Sequence, residues 1–288
     1  MAAMDRFVTS CAGVRIPRIL YGTAWKEDET ERLVRTAIQQ GFRGIDTACQ
    51  PRHYDEPGVG AGVAAWLCAP QQAPQGELSR PDLYLQTKFT PLSGQDPARI
   101  PYDPEAPLPQ QVRQSCAVSL KNLHTHYLDC LLLHSPLPTM RQTCEAWRAM
   151  ESLLAERSVR QLGISNCRFD ELRTLCAAAA HAPAVVQNRF SADSGYDRQI
   201  RAFCRQHGII YQSFWTLTAN PHILAHRTVS GLAAKHRRTP SQILFRYLTH
   251  IDVVPLTGTR NPAHMREDLS VFDFALDVKE QQALEALF

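Results

Sequence analysis

With 288 residues, 44% of them hydrophobic, the chain can bury one large core or two modest ones, and one barrel of ordinary size would use all of it. A formal net charge of +3, with Lys, Arg, Asp and Glu interleaved rather than blocked, argues against a nucleic-acid or membrane footprint. No apolar stretch approaches the roughly 18 residues that span a bilayer, and the start Met-Ala-Ala-Met-Asp-Arg lacks a signal-peptide core, so a cytosolic location is expected.

In chain order, residues 7–18 carry a Ser-Cys-Ala-Gly centre and predict a hairpin that caps the bottom of the fold. Short aliphatic runs then predict strands over 19–25, 44–48, 83–89, 128–134, 160–165, 185–190, 209–214 and 253–257. Between them lie helix-period segments. In 27–40, Leu33, Ala37 and Ile38 share a face, and in 143–156 Trp147, Met150 and Leu154 do. The segment 240–250 opens with Pro240 in its first turn. Eight strands alternating with helices, with no linker, close most simply into a (β/α)8 TIM barrel spanning 1–288 as one domain. Residues 90–109 break the rhythm, being rich in Pro, Asp and Gly. A loop of that length after the third strand emerges at the barrel's C-terminal face and is expected to act as a substrate-side lid.

The nine cysteines are scattered singly, several of them (Cys68, Cys116, Cys130, Cys144, Cys176, Cys204) inside apolar or periodic segments, which predicts reduced core thiols. There is neither a CxxC pair nor an HExxH motif, so no metal site is expected.

Polar residues at the C-terminal ends of strands carry the chemistry. Asp46 ends the second strand, Lys88 the third and His134 the fourth, with Tyr54 in the loop just after the second. Taken singly, such an Asp is more often a helix cap, the Lys a solvated end and the His a satisfied core residue. Together, on consecutive strands at one end of a barrel, they fit one task. A free tyrosine, with pKa about 10, is a poor acid near neutrality unless a nearby cation favours its phenolate. Lys88 can supply that cation, Asp46 can hold Lys88 charged, and His134 can donate to a carbonyl oxygen.

The sequence resembles the aldo-keto reductase family over nearly its whole length. The matching stretches are Gly41-Phe42-Arg43-Gly44-Ile45-Asp46-Thr47-Ala48, Tyr54-Asp55-Glu56 with Val59-Gly60, and Gln86-Thr87-Lys88-Phe89. They continue with Leu131-Leu132-Leu133-His134-Ser135-Pro136, Gly163-Ile164-Ser165-Asn166, Val186-Gln187-Asn188 and Val271-Phe272-Asp273-Phe274. The resemblance implies an NADPH-dependent reduction of a small-molecule aldehyde or ketone, with NADH as the alternative cofactor. It implies Asp46, Tyr54, Lys88 and His134 as a catalytic tetrad, and Ser165, Asn166 and Gln187 on the nicotinamide carboxamide. Phe214 would stack on the nicotinamide ring, and Gly22, Thr23 and Leu217 would join the cofactor pocket. Trp25 and Trp215 would face the substrate. A monomer is the family's habit.

Four departures from the family's pattern matter. Five residues, Cys49 to His53, separate Asp46-Thr47-Ala48 from Tyr54, about three more than usual, so the loop presenting Tyr54 is shaped differently. Where the family grips an adenosine 2′-phosphate with a Lys-Ser and an Arg, this chain reads Leu256-Thr257-Gly258-Thr259-Arg260 and then His264. Arg260 or His264 could contact that phosphate; Leu256 could not. Glu267 and Asp268 match positions that contact adenine. The third departure is the long 90–109 segment. The fourth is that the chain stops at Leu287-Phe288, without a tail over the substrate, which predicts an open pocket. A slow cofactor-binding regulatory module, like the potassium-channel β-subunits of similar fold, is the alternative reading.

Overall fold

A computed structural model describes residues 6–68 and 78–288. Strands β1 (Phe7–Thr9) and β2 (Arg15–Pro17) pair antiparallel, as a hairpin. Eight further strands follow: β3 (Leu20–Gly22), β4 (Gly44–Asp46), β5 (Tyr84–Phe89), β6 (Cys130–Leu133), β7 (Leu162–Ser165), β8 (Val185–Arg189), β9 (Ile210–Phe214) and β10 (Val253–Thr257). All pair in parallel, and β10 returns to β3 through Leu256 and Leu20, which closes the (β/α)8 barrel. The expected strands are all present, seven of them shorter than predicted and β10 over the predicted residues.

The surrounding helices are α1 (Thr30–Gln40), α2 (Glu56–Leu67), α3 (Leu108–Asn122), α4 (Met140–Ala155), α5 (Phe169–Ala178) and α6 (Arg198–His207). They continue with α7 (Pro221–Leu224), α8 (Arg227–His236), α9 (Pro240–His250), α10 (Pro262–Leu269) and α11 (Val278–Glu285). The predicted 27–40 helix is split, because Glu27 has φ 53° and residues Glu27–Glu29 form a 3-10 turn before α1 begins. Its end is fixed by Gly41, whose φ of 112° lets its N–H reach Ala37 and Ile38 carbonyls. Helix α4 starts earlier than its periodicity suggested, since the Thr139 side chain caps the Gln142 N–H. Helix α9 runs over the predicted residues.

Strand alternation sorts the core. Along β5, Leu85 and Phe89 face the helix layer, while Tyr84, Gln86 and Lys88 engage partners across the bore. The lower bore is filled by Leu20, Tyr84, Leu132, Val185, Ile210 and Val254. Ile16 of the hairpin packs into the same cluster, and Ser10 Oγ bonds Gln161 Oε1 at 2.6 Å, so the hairpin plugs that end as expected. The apolar helix faces, such as Leu33, Val34, Ala37 and Ile38 of α1, form the second core layer. Not every thiol is in the core: Cys68 is exposed at the end of α2, and Cys144 and Cys176 are half-buried. Among the described residues no helix is long and apolar enough to cross a membrane.

Candidate functional site

At the upper end of the bore, Lys88 Nζ donates to Asp46 Oδ2 and to the Thr47 carbonyl, each at 2.7 Å. Burial alone would pull the Lys88 ammonium down. The charge of Asp46 outweighs it, with help from Tyr54, and leaves the group above the ordinary lysine range.

Tyr54 arrives on the loop after β4. Its backbone N–H bonds the Gln50 carbonyl at 3.1 Å, and the next residue, Asp55, caps α2 by accepting the Gly58 N–H at 3.0 Å. Two locks hold α2. Glu56 is buried, accepting from Thr87 Oγ1 at 2.5 Å and Asn122 Nδ2 at 3.0 Å. Gly60 lies so close to the end of α3 that an added Cβ would stand 1.9 Å from the Asn122 carbonyl oxygen. Thus anchored, the Tyr54 ring sits with Lys88 Nζ 5.2 Å from its centroid and His134 edge-on at 6.0 Å. Burial raises the Tyr54 phenol above its ordinary value, while Lys88 opposes that rise. His134 is driven down to about 3, first by burial and then by Lys88 and His53, so it is neutral. Its Nδ1 lies 2.6 Å from Thr90 Oγ1, which leaves Nε2 for a ligand.

These groups form the floor of a cavity of about 960 Å³. Most of the predicted site residues line it: Gly22, Trp25, Ser165, Asn166, Gln187, Phe214, Trp215, Leu217, Thr257, Gly258, Thr259, Arg260, His264, Glu267 and Asp268, with Asp46, Tyr54 and His134. Lys88 is behind them, 1% exposed. Thr23 is not a lining residue: it is fully buried, and its hydroxyl bonds the Asp46 carbonyl at 2.9 Å, so it supports the floor. Ser165 donates to the Gln187 carbonyl at 2.7 Å and accepts Asn166 Nδ2 at 3.1 Å. Asn166 also bonds the His134 carbonyl at 2.9 Å. Three rim residues, Trp25, Asn166 and Trp215, hold positive φ values of 60°, 55° and 56°. Such strain persists only where surrounding structure enforces it, and it clusters at ligand sites.

The far end of the cavity is basic. Arg260 pairs with Glu29 and donates to the Trp25 carbonyl at 2.6 Å, tying the β3 and β10 loops together. His264 Nδ1 lies 3.5 Å from Thr259 Oγ1. Lys26, buried and donating to the Gly258 carbonyl, is lowered to about 8 by burial and by Arg260. Asp268 is raised to about 7 by burial despite the Thr257 hydroxyl 2.7 Å away.

Sequence reading missed Lys26, Gln50, His53 and Arg189, all of which line the cavity. The signal for Lys26 was its place directly after Trp25. His53 belongs to the lengthened loop and packs on Trp25 with ring centroids 3.9 Å apart; the Arg189 guanidinium sits 4.3 Å above the Trp215 ring. No residue of the 90–109 segment lines the cavity. Gln95 Nε2 turns inward to the Cys49 and Thr90 carbonyls, and Tyr102 donates to the Thr90 carbonyl at 2.8 Å. The segment buttresses the Tyr54 loop and the Thr90–His134 contact instead of forming a lid.

A closed barrel with an Asp–Lys pair, a tyrosine and a neutral histidine at the C-terminal ends of its strands defines a (β/α)8 enzyme-type site. The model of the Aldo/keto reductase family matches residues 18–288. An aldo-keto reductase of Mycolicibacterium paratuberculosis is 30% identical over 91% of this chain and 82% of its own. A Bacillus subtilis protein described as an uncharacterized oxidoreductase is 27% identical over 96% and 90%. Among solved structures, an aldo/keto reductase from Brucella melitensis superposes with a TM-score of 0.82 at 26% identity, covering both chains fully. A mutant of Gox0644 in complex with NADPH gives 0.80 at 27% identity, over 100% of this chain and 94% of that one. The chain belongs to the aldo/keto reductase family.

Proposed function

We propose that the protein reduces an aldehyde or ketone to the alcohol with a nicotinamide cofactor, Tyr54 giving the proton. The observation that carries this reading is the Tyr54 ring set between the Lys88–Asp46 pair and a neutral His134 on the cavity floor. The lining fits the cofactor's parts: amide partners on Ser165, Asn166 and Gln187, the Phe214 ring, and the nitrogen-bearing side chains of Lys26, Arg260 and His264 at the far end. When bound, the cofactor supplies the hydride. His134 Nε2–H donates to the carbonyl oxygen and polarises it. Tyr54 passes its phenolic proton to that oxygen as the C=O π bond becomes the alcohol's O–H. The phenolate left behind faces the Lys88 ammonium, which Asp46 keeps charged.

NADPH is the preferred form, since Arg260, His264 and Lys26 suit a phosphate. The NADPH bound by the Gox0644 mutant is consistent with this. Substrate specificity falls to Trp25, Trp215 and His53 at the mouth. Titration with NADPH and NADH, followed by quenching of the four tryptophans, tests the cofactor; oxidation of the bound cofactor by a panel of aldehydes tests the reaction. We expect tighter binding of NADPH and measurable turnover. Tight binding with no turnover on any carbonyl would favour the regulatory module.

A further inference from the structure

Below the Asp–Lys pair, the barrel bore holds a layer of glutamines where packing alone would place apolar side chains. Gln86 stands in register with Asp46 across β4 and β5, and Gln187 with Gln212 across β8 and β9 on the opposite wall. All three amides are buried. Gln86 Nε2 and Gln187 Nε2 both donate to Asp46 Oδ1, at 2.7 and 2.9 Å. Gln212 Oε1 accepts from the same two nitrogens, at 2.8 and 2.9 Å, and Gln212 Nε2 returns a bond to Gln86 Oε1 at 3.0 Å. Tyr84 donates to Gln86 Oε1 at 2.7 Å, and Gln161 to the Tyr84 hydroxyl at 3.2 Å, so a polar column reaches down to the Ser10 plug.

The bonding leaves little freedom. Each donating amide has two hydrogens, one spent on Gln212 Oε1 and the other on Asp46 Oδ1. Gln212 therefore decides which way both amides face. Without its carbonyl, either amide could rotate and set its oxygen against the carboxylate. Buried amides are costly unless every donor and acceptor is met, so a core of this composition demands a benefit that packing does not give.

We propose that Gln212 and Gln86 are positioning residues for the reduction: they fix Asp46 Oδ1 from below so that Oδ2 stays on Lys88 Nζ. The inference rests on the reductase reading of this site. Gln187, which lines the cavity, spends its nitrogen on this network, leaving Oε1 to accept from a ligand.

The test uses protein labelled with 13C at lysine Cε and titrated by NMR. Lys88 is identified by its loss in Lys88→Met, the chain's other lysines being Lys26, Lys121, Lys235 and Lys279. Gln212→Met is the lead variant because it removes no atom bonded to Asp46 or Lys88; Gln86→Met/Gln212→Met is the second and also removes the reciprocal amide partner. We expect the Lys88 ionisation midpoint to fall by about one pH unit, a tenfold change in its ionisation constant. The alkaline limb of the kcat profile should move to lower pH with it, more in the double variant. A folded Gln212→Met protein whose Lys88 midpoint and pH profile match wild type overturns the proposal, whatever its melting temperature. A shifted Lys88 midpoint in a chain whose wild type reduces no carbonyl supports the positioning role and defeats the reductase reading instead.

Discussion

Lys88 Nζ lies 2.7 Å from Asp46 Oδ2, and neither side chain is more than 3% exposed. Removing one partner strands the other charge in the core, so Lys88→Met should destabilise the fold by about 3–5 kcal/mol in urea unfolding, besides abolishing turnover. Asp46→Leu/Lys88→Met should regain much of that stability and none of the activity. Additive losses in the two single variants would contradict the pairing.

His134 is held neutral by burial, Lys88 and His53, at about 3, and Thr90 Oγ1 holds its Nδ1 at 2.6 Å. The acid side of the kcat profile should therefore be flat from pH 5 to 8, with no limb near the 6.5 of a free histidine. Thr90→Val should lower kcat about tenfold by releasing the ring, the scale of one lost hydrogen bond, while leaving the NADPH Kd in place. An acid limb that vanishes in His134→Gln would show that the imidazole ionises during turnover.

Much of this site is legible in the sequence because barrel strands alternate in and out, so charged residues at strand ends have no packing reason to be there. Asp46, Lys88 and His134 stand out on that ground, and Tyr54 through the Asp55-Glu56 that follows it. Gln86 and Gln212 carried a weaker signal: each sits at an inward position of its strand, between a lower core residue and the site, and polar residues there are unusual. What was not legible depends on closure. Lys26, Arg260 and Glu29 meet only because β10 returns to β3. The 90–109 segment read as a lid because its prolines hide the inward turns of Gln95, which ties it to the Tyr54 loop through the Cys49 carbonyl, and of Tyr102, which folds it back onto Thr90.

Asp268 titrates at about 7 in the folded chain against 3.8 as an ordinary side chain. Between those values the native state binds the extra proton, so stability falls as pH rises from 3.8 to 7 and levels off above. Asp268→Asn keeps an acceptor for the Thr257 hydroxyl and should raise the melting temperature at pH 8 but not at pH 4. Equal effects at both pH values would show that Asp268 does not titrate in this window.

Arg260 is held by Glu29 and the Trp25 carbonyl at the basic end of the cavity. If it receives the 2′-phosphate, Arg260→Ala should weaken NADPH about tenfold or more, the loss of a charged hydrogen bond, and NADH less than about twofold. Fluorescence titration of both cofactors reads the ratio, and equal losses would remove Arg260 from the choice between them.

The most direct test of the account is the turnover of Tyr54→Phe, measured at saturating NADPH with an aldehyde that wild type reduces. Loss of the hydroxyl alone should leave the NADPH Kd within about twofold and cut kcat by about 100-fold or more, as expected when a positioned general acid is removed. Near-wild-type turnover by a folded Tyr54→Phe protein would show that the proton comes from elsewhere and that the geometry around Lys88 and His134 serves another purpose.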